Sequence, residues 1–500
     1  MNIFVIGSGG REHAICHSFL RSKRVEKIYC APGNAGISTI AECIPINADD
    51  IDALADFAHS NKIDLTFVGG ETSLALGVVD EFERRGLKIV GPNAAAARLE
   101  SSKAFSKEFM SRHGVPTAKF ATANSQEAAI LILESGEFGD ADSPVVVKAD
   151  GLAAGKGVVV AADRAEAVEA INDMADLVGA DAAATIIIEE CLVGREISLL
   201  MFCDGENFAL MPPTRDHKRI GEGDTGPNTG GMGTITDESL LTEDQTCEIV
   251  EKIIKPTLQG CRSEGFPFRG ILFLGLMMKE NAEARALARA IHPTPSTEDE
   301  HLQKISVESA LDADSIALAY AGACAMVLEY NVRFGDPETQ SILVRLETDL
   351  VDICEAMISC KSPRVSEGDT DNSVPNARVY APGLAEIEIK WKPGNSATVV
   401  LAAKNYPQSP QKGDVIHGLG EASAVKGVMI FHAGTAMSSP GTIVTGEVTY
   451  ITSGGRVLGV TAFAEDLDSA IAKAYSAIDL ISWDGMQFRR DIGKTAEARA

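Results

Sequence analysis

The first hundred residues constrain the fold most, because short apolar runs alternate there with helical patterns. The runs at residues 3–6, 65–68 and 87–90 are typical of buried strands, and the amphipathic segment 51–59 lies between two of them. Strands and helices that take turns along a chain indicate a doubly wound parallel sheet. The sequence therefore predicts an α/β domain over residues 1–100, with a ligand at the carboxyl ends of its strands.

Beyond residue 100 the pattern changes to β-rich hairpins and longer helices, which predicts α+β structure in a multidomain chain. Residues 144–147 and 157–161 are predicted to form two strands around a glycine-rich turn, and residues 185–189 and 197–203 to form another pair. A polar stretch at 366–373 precedes a final β-rich segment. The expected domains cover residues 1–100, 101–365 and 375–500.

Net charge limits the classes of partner. The chain has 45 basic and 71 acidic side chains, a formal charge of −26, which repels nucleic-acid phosphates and anionic membranes. Its ten cysteines form no C-x-x-C pair and indicate reduced thiols. No signal peptide precedes the first strand, and the longest apolar run, 271–278, is far shorter than the roughly 20 residues that cross a bilayer. We expect a cytoplasmic monomer or weak homo-oligomer that binds neither nucleic acid nor membrane.

A glycine-rich turn at residues 7–10 follows the first predicted strand. Glu12 stands where the dinucleotide motif G-x-G-x-x-G requires its third glycine, so NAD is not expected. A tight turn alone would also explain these glycines. Arg11 and His13 favour a small anion instead, because a cation at a helix N-terminus can hold a phosphate.

The segment 145–158 resembles a Walker A loop only superficially. The spacing from Gly151 to Gly155 is one residue too short, and Gly157 replaces the hydroxyl residue that would bind magnesium. A glycine-rich hairpin with Lys148 on its first strand suits a lid that closes over nucleotide phosphates. A plain surface turn is the alternative.

Two further segments suit a nucleotide-dependent site. Residues 186–192 form an apolar strand that runs into a turn, where backbone groups can meet an adenine edge and the nearby Glu190 and Glu196 can accept ribose hydroxyls. Taken singly, each glutamate is more often a solvated charge. The loop 216–233 holds six glycines among charged and amide side chains, which favours a functional loop over a disordered one.

A predicted strand near residue 330 presents a polar face. Side-chain alternation places Glu329, Asn331 and Arg333 together. The opposite face carries the apolar side chains Leu328, Tyr330 and Val332. Two oxygen donors suit Mg²⁺ or Mn²⁺ that bridges nucleotide phosphates, and the guanidinium can neutralise a carboxylate or a developing phosphoryl charge. A solvated strand face is the alternative.

These motifs together resemble the phosphoribosylamine–glycine ligase family, also called glycinamide ribonucleotide synthetases, of the ATP-grasp superfamily. The resemblance covers nearly the whole chain and is most specific at residues 216–233 and 331–340. It implies that the central domain is an ATP-grasp domain and that a β-rich domain follows. It also implies an enzyme of purine (IMP) biosynthesis, in which ATP phosphorylates glycine and the amine of 5-phosphoribosylamine attacks the glycyl phosphate to give glycinamide ribonucleotide.

The resemblance assigns roles to individual residues, of which Lys148, Lys218 and Arg333 are implied to be catalytic. The implied ATP ligands are Lys103, Lys148, Gly155, Gly157, Glu190, Leu192, Glu196 and Lys218. The implied ligands of Mg²⁺ or Mn²⁺ are Glu329 and Asn331. The implied substrate ligands, for glycine and 5-phosphoribosylamine, are Arg11, Asn34, Glu71, Asp224, Thr225, Gly226, Pro227, Asn228 and Arg333.

The chain departs from the family pattern at three places. Gly70 replaces a usual proline, and Lys404 and Asn405 replace a usual glycine pair. An extra segment at about 280–324 separates two strands that a short hairpin normally joins. It leaves from the expected hairpin tip, so we expect the metal-binding face to survive and deletion of 282–323 to leave activity intact. An accessory helix pair, a disordered segment and a gene-model artefact all remain open.

Two rival functions also remain open from the sequence. One is another ATP-grasp ligase, or a carboxylase, that acts on a different acid. The other is a catalytically inactive nucleotide-binding scaffold, against which the presence of Lys148, Glu329 and Asn331 argues.

Overall fold

The structure, a computed structural model, describes most of the chain. The described ranges are residues 1–151, 157–179, 183–278, 325–359, 383–438 and 449–494. The predictions for Gly155, for the segment 280–324 and for the polar stretch 366–373 lie outside these ranges.

The N-terminal domain is the predicted parallel sheet with helices between its strands. Its strands are β1 (Asn2–Gly7), β2 (Lys27–Pro32), β3 (Glu42–Cys43), β4 (Leu65–Val68) and β5 (Ile89–Val90), in the order β3-β2-β1-β4-β5. The helices are α1 (Gly10–Leu20), α2 (Ile51–Ser60), α3 (Glu71–Ala75), α4 (Val78–Arg84) and α5 (Ala94–Ser101). Each of β1, β2 and β4 is buried over its central residues, as strands covered on both faces must be.

A small four-stranded sheet follows helix α6 (Lys103–Arg112). Its strands are β6 (Phe120–Ala123), β7 (Val145–Ala149), β8 (Val158–Ala161) and β9 (Ile186–Glu190), in the order β6-β9-β7-β8, and helices α7 (Gln126–Glu134) and α8 (Arg164–Val178) pack beside it. Strands β7 and β8 pair antiparallel as predicted, with Lys148 opposite Val158. The turn between them is described only as far as Gly151 and again from Gly157.

The predicted pairing of residues 185–189 with 197–203 is wrong. Strand β9 pairs with β6 and β7 in the small sheet, whereas β10 (Arg195–Asp204) lies inside a larger antiparallel sheet. The physical reason is long-range pairing, because all ten residues of β10 pair with residues 269–278, a partner that the local sequence does not reveal.

The larger sheet joins the central and C-terminal parts of the chain. Besides β10, its strands are β11 (Phe208–Leu210), β12 (Thr214–Asp216), β15 (Gly233–Thr236), β16 (Arg269–Met278), β17 (Ala325–Asn331), β18 (Asn395–Ala402), β19 (Val428–His432) and β22 (Arg456–Ala464). Their order is β17-β16-β10-β12-β15-β18-β22-β19, with β11 paired to β10. Because β15 pairs with β18 from Gly233 to Thr236, the C-terminal strands continue the sheet of the central domain.

Two hairpins and several helices complete the described structure. The hairpins are β13 (Arg219–Gly221) with β14 (Thr225–Asn228), and β20 (Thr435–Met437) with β21 (Tyr450–Thr452). The helices are α9 (Glu243–Ile249), α10 (Lys255–Ser263), α11 (Glu338–Leu343), α12 (Leu350–Ile358), α13 (Leu419–Ser423) and α14 (Leu467–Ile478).

One buried apolar cluster extends through all three parts of the chain. It contains Phe4 of β1, Phe109 of α6, Tyr330 of β17 and Val460 of β22. Packing against a common core holds the N-terminal sheet and the large sheet against each other. Within the described ranges, no helix has the length and apolar character needed to cross a membrane.

Candidate active site

A cavity of about 480 Å³ lies where the N-terminal domain, the small sheet and the large sheet meet. It brings together side chains that are distant in sequence. The predicted site residues in its lining are Arg11, Glu71, Lys103, Lys148, Gly157, Glu190, Leu192, Glu196, Lys218, Asn228, Glu329, Asn331 and Arg333. Lys148 of the small sheet and Glu329 of the large sheet therefore face the same space, which is the arrangement that a shared nucleotide requires.

Strand β7 places Lys148 in the cavity beside a buried carboxylate that the sequence analysis missed. The Nζ atom of Lys148 lies 2.8 Å from Oε1 of Glu189 on β9. The Oε2 atom of the same glutamate lies 2.7 Å from Nζ of Lys107, a second missed residue. Lys107 follows Lys103 by four positions on helix α6, and this spacing, which places both side chains on one helix face, was the available signal.

Lys103 connects the start of helix α6 to the glycine-rich turn. Its Nζ donates a hydrogen bond of 2.8 Å to the carbonyl oxygen of Gly151. Asp150 accepts hydrogen bonds from Ser102 Oγ and from the backbone of Ala104. Burial, together with the nearby Lys148, lowers the pKa of Lys103, although surrounding carboxylates oppose the shift.

Lys218 lies among carboxylates on the large-sheet side of the cavity. Its Nζ is 2.5 Å from Oε1 of Glu196 and 4.0 Å from Oε1 of Glu329. Burial by itself would lower the pKa of Lys218, but Glu196, Glu329 and Asp216 raise it above its ordinary value. The ammonium group therefore remains charged and can face an anionic ligand.

The end of strand β17 supplies the predicted oxygen donors. Glu329 pairs with Gly275 of β16, where an added Cβ would lie 3.3 Å from Cγ of the glutamate. The glycine thus leaves space for the carboxylate at the cavity wall. Asn331 lies two residues further along, and its Oδ1 accepts a hydrogen bond of 3.3 Å from Arg333 Nη2.

The predicted apolar face of β17 is partly wrong. Tyr330 and Val332 are buried as expected, but Leu328 lines the cavity, and Val327 takes its place in the core. The cause is a register shift at Gly275, where the ladder passes from Glu329 to Val327 and leaves Leu328 unpaired. A bulge of this kind reverses the side-chain alternation on its N-terminal side.

Arg333 is held by two carboxylates from the N-terminal domain. Its Nε lies 3.1 Å from Oε2 of Glu71 and its Nη2 lies 2.8 Å from Oε1 of Glu100. Burial alone would raise the pKa of Glu71, but Arg333 and Arg11 lower it to about 2. Because both carboxylates pair with it, Arg333 is held in a fixed position, as a cation, between the N-terminal domain and the large sheet.

Arg11 reaches the cavity, whereas His13 does not act as the predicted anion-binding cation. Arg11 contacts Oε1 of Glu12 at 2.6 Å and donates to the carbonyl of Phe334 at 2.9 Å. His13 is buried, and its Nδ1 accepts a hydrogen bond from the backbone N–H of His432. Burial and the neighbouring His432 lower the pKa of His13 to about 3, so the ring is neutral.

Several predicted substrate ligands are not among the cavity-lining residues. Asn34 donates to the carbonyls of Ser8 and His432, and its Oδ1 accepts from two backbone N–H groups. The tip of the β13–β14 hairpin is exposed, and Asp224 there lies 2.6 Å from the buried Arg489. Of the predicted ligands, Asp224 lies in the turn of this hairpin, whereas Thr225, Gly226 and Pro227 lie on the exposed strand β14.

The cavity also contains charged residues that the sequence analysis did not select. Arg456 of β22 donates to the carbonyls of Gly230 and Asp336. Asp216 and Glu338 also line the cavity. Burial raises the pKa of Asp216, and repulsion from the carboxylate of Glu338 raises it further. Arg456 lies on β22 of the C-terminal segment, and it reaches the site because β22 is part of the large sheet.

The described residues contain no group of three or more histidine, cysteine and acidic side chains able to hold a metal ion alone. Glu329 and Asn331 nevertheless provide a carboxylate and an amide oxygen at one wall of the cavity. Such hard donors suit a divalent cation whose remaining ligands are nucleotide phosphates and water.

Family models match the three parts of the chain in order. The phosphoribosylglycinamide synthetase N domain matches residues 1–100, the ATP-grasp (A) domain residues 101–289 and the C domain residues 396–495. The chain belongs to the phosphoribosylglycinamide synthetase family. This finding confirms the family expected from the sequence, together with the α/β and α+β multidomain fold and its central ATP-grasp domain.

Curated members of the phosphoribosylglycinamide synthetase family are similar to the chain over its full length. A phosphoribosylamine–glycine ligase of Xanthomonas axonopodis pv. citri is 40% identical, and one of Vibrio parahaemolyticus is 41% identical. Each comparison covers 100% of this chain and 99% of the relative.

Solved structures agree with this family assignment. The crystal structure of phosphoribosylamine–glycine ligase from Thermotoga maritima has a TM-score of 0.70 and 29% identity, and the match covers 99% of this chain and 100% of that chain. A biotin carboxylase domain from Hydrogenobacter thermophilus, at 16% identity and a TM-score of 0.62, shares the fold over 97% of this chain and 91% of its own.

Proposed function

We propose that the cavity joins 5-phosphoribosylamine to glycine and consumes ATP, giving glycinamide ribonucleotide, ADP and phosphate. This reaction is a step of purine biosynthesis on the route to IMP. The observation that carries the proposal is that Lys148 and Glu329, from two different sheets, line one cavity together with Arg333. Membership of the phosphoribosylglycinamide synthetase family supports the same reaction.

The nucleotide occupies the side of the cavity next to the small sheet. Lys103 and Lys148 neutralise its phosphates, and Lys218 approaches them from the large sheet. Gly157, the first described residue after the glycine-rich turn, lines this side of the cavity, and Gly155 is assigned from the sequence alone. Adenine and ribose lie against Glu190, Leu192 and Glu196. Cations placed before the reaction stabilise the charge that develops during phosphoryl transfer.

Glu329 and Asn331 hold the divalent cation. Their two oxygen donors fit Mg²⁺ or Mn²⁺, and Gly275 leaves room beside the carboxylate. Held by these two residues, a divalent cation would supply positive charge that offsets the negative charge of the nucleotide phosphates. Burial opposes ionisation of Glu329, but Lys218, Lys148 and Lys103 lower its pKa, so the carboxylate is ionised and able to bind.

The chemistry requires two steps in one sheltered site. A carboxylate oxygen of glycine attacks the γ-phosphorus of ATP, the bond to the β-phosphate oxygen breaks and ADP is formed. The amine of 5-phosphoribosylamine then attacks the carbonyl carbon of glycyl phosphate, phosphate leaves and the nitrogen loses a proton. Arg333 orients the carboxylate of glycine, and exclusion of water from the cavity protects the acyl phosphate from hydrolysis.

Arg11 and Glu71 are the proposed contacts for 5-phosphoribosylamine on the N-terminal side, and Asn228, on strand β14 of the separate hairpin, is a proposed contact for glycine. All three line the cavity. The predicted roles of Asn34 and of Asp224, Thr225, Gly226 and Pro227 in substrate binding remain predictions from the sequence. So do a cytoplasmic location and a monomeric or weakly homo-oligomeric state.

A coupled assay that measures ADP release tests the proposed function. We expect ADP release to require ATP, glycine and 5-phosphoribosylamine together, and Lys148→Ala to slow it by about 10²-fold or more. Release with another acid in place of glycine would identify a different ATP-grasp ligase. Nucleotide binding without turnover under all substrate combinations would identify a scaffold.

A further inference from the structure

Three buried charged side chains form a row in the wall of the cavity, next to the proposed phosphate site. Lys107, Glu189 and Lys148 are 3%, 2% and 8% exposed, respectively. Glu189 lies between the two lysines, with its Oε2 2.7 Å from Lys107 and its Oε1 2.8 Å from Lys148. Only Lys148 belongs to the set of predicted ligands, so the functions of the other two residues are not explained by the mechanism above.

Lys107 is fixed by contacts to two different elements. Its Nζ donates a hydrogen bond of 2.8 Å to Oγ1 of Thr117, and that hydroxyl donates a hydrogen bond of 2.7 Å to the carbonyl of Val327 on β17. Lys148 reaches the same strand at the carbonyl of Leu328, at 3.4 Å. The row therefore links the small sheet to the strand that carries Glu329.

The charges of the row explain why a second lysine is needed. With Lys107 charged, the three groups sum to one positive charge, which is available to an anion. Without Lys107, Glu189 would neutralise Lys148 and compete with a phosphate for its ammonium group. An unbalanced carboxylate in such a buried place interacts strongly with the nearest cation.

We infer that Lys107 is a positioning residue of the nucleotide site, which acts through Glu189 to keep the charge of Lys148 available to ATP phosphates. This inference rests on the proposed role of Lys148. It assigns Lys107 no contact with the reacting atoms. Its effect is on how strongly the cavity attracts the nucleotide, and glycine affinity is affected less.

Charge-balanced variants separate this role from a purely structural one. We expect Lys107→Met to lower kcat/KM for ATP by about 10- to 100-fold, the usual loss when a supporting partner of a ligand is removed. The double variant Lys107→Met/Glu189→Gln restores one net positive charge, so we expect it to recover much of that loss. Glycine KM should change less than ATP KM in both variants.

Two control variants define what a structural effect looks like. Thr117→Val removes a hydrogen bond of Lys107 but no charge. It should lower the melting temperature, and the KM for ATP should stay close to its original value. Lys255→Met removes an exposed lysine that pairs with Glu251 and does not line the cavity, and its kinetics should match those of the unchanged protein. Thermal unfolding of every variant shows which of them are folded.

The pH profile provides an independent measurement. Burial and the neighbouring Lys148 lower the pKa of Lys107 to about 8, against the opposing carboxylates of Glu189 and Glu329. Below that pH the row holds its net positive charge, and above it the charge is lost, so we expect kcat/KM for ATP to fall as pH rises through about 8. Lys107→Arg should remove this fall, because a guanidinium stays protonated.

Each outcome distinguishes the inference from the proposed function. If Lys148→Ala slows turnover as expected while folded Lys107→Met matches the unchanged protein, the inference is wrong and the role of Lys148 stands. If the double variant is no better than Lys107→Met, Lys107 has only a structural role and the inference is again wrong. If Lys148→Ala itself leaves ATP kinetics unchanged, the proposed phosphate site is wrong.

Discussion

Strand β17 and the hairpin of β13 and β14 both contain residues assigned to the site from the sequence, but the structure places them differently. Glu329, Asn331 and Arg333 at the end of β17 all line the cavity. At the hairpin, Asn228 lines the cavity while the tip around Asp224 contacts Arg489. The direction of a strand side chain follows from pairing with its neighbours, whereas the direction of a hairpin tip follows from tertiary contacts that the local sequence does not contain.

The largest expected effect is at Lys148. It tests whether a strand, here β7, fixes the direction of a site residue. Lys148→Ala removes the cation that β7 places against the nucleotide, and we expect kcat to fall by about 10²- to 10³-fold, the usual cost of a lost charge-stabilising group. Single-turnover formation of ADP measures this step directly. Near-normal turnover in the folded variant would show that β7 does not face the phosphates.

The next effect tests the oxygen donors of β17. Glu329→Ala removes a carboxylate ligand, and we expect the Mg²⁺ concentration for half-maximal activity to rise by about tenfold or more, with a smaller change in glycine KM. Titration of activity with Mg²⁺ and with Mn²⁺ measures it. A defect confined to glycine KM would place Glu329 on the substrate side instead.

A smaller effect is expected at Asn34, which belongs to a loop. Its side chain makes hydrogen bonds of 2.8 to 2.9 Å that connect the loop to Ser8 and His432. Asn34→Ala should therefore lower the free energy of unfolding by about 1–3 kcal/mol, because buried backbone groups lose their partners. Denaturant unfolding measures this change. A raised KM for 5-phosphoribosylamine with little change in stability would instead support the substrate-binding role that the sequence predicts for Asn34.

The smallest effect is expected at the hairpin tip. Asp224 is partly exposed and pairs with Arg489, which also pairs with Asp491 at 2.6 Å. Because Arg489 keeps one partner, Asp224→Ala should cost about 1 kcal/mol of stability or less. Glycine KM, measured in the ADP-release assay, should stay within about threefold of its original value. A loss of glycine affinity well beyond that would place the tip in the substrate site.

Much of the fold and of the site follows from local patterns. The parallel sheet of residues 1–100 and the pairing of β7 with β8 follow from apolar runs of strand length separated by turn residues. Lys148 and Glu329 reach one cavity because each lies on a strand whose pairing fixes its direction.

Other features depend on contacts between distant segments. The bulge that turns Leu328 into the cavity arises from the register against Gly275, which no local pattern contains. His13 is neutral because burial and the nearby His432, a residue from the other end of the chain, lower its pKa. Arg456 reaches the site through a β-ladder in the C-terminal segment. Such residues are not identifiable before the tertiary structure is known.

The pairing of β15 with β18 makes the large sheet a single unit across two of the matched domains. A cut before residue 395 would leave without partners those backbone N–H and C=O groups of β15 that face β18, and an open strand edge of this kind promotes association between chains. The same cut would remove Arg456. Separate production of the central segment would therefore need a replacement strand, and chimaeras with relatives should exchange the central and C-terminal parts together.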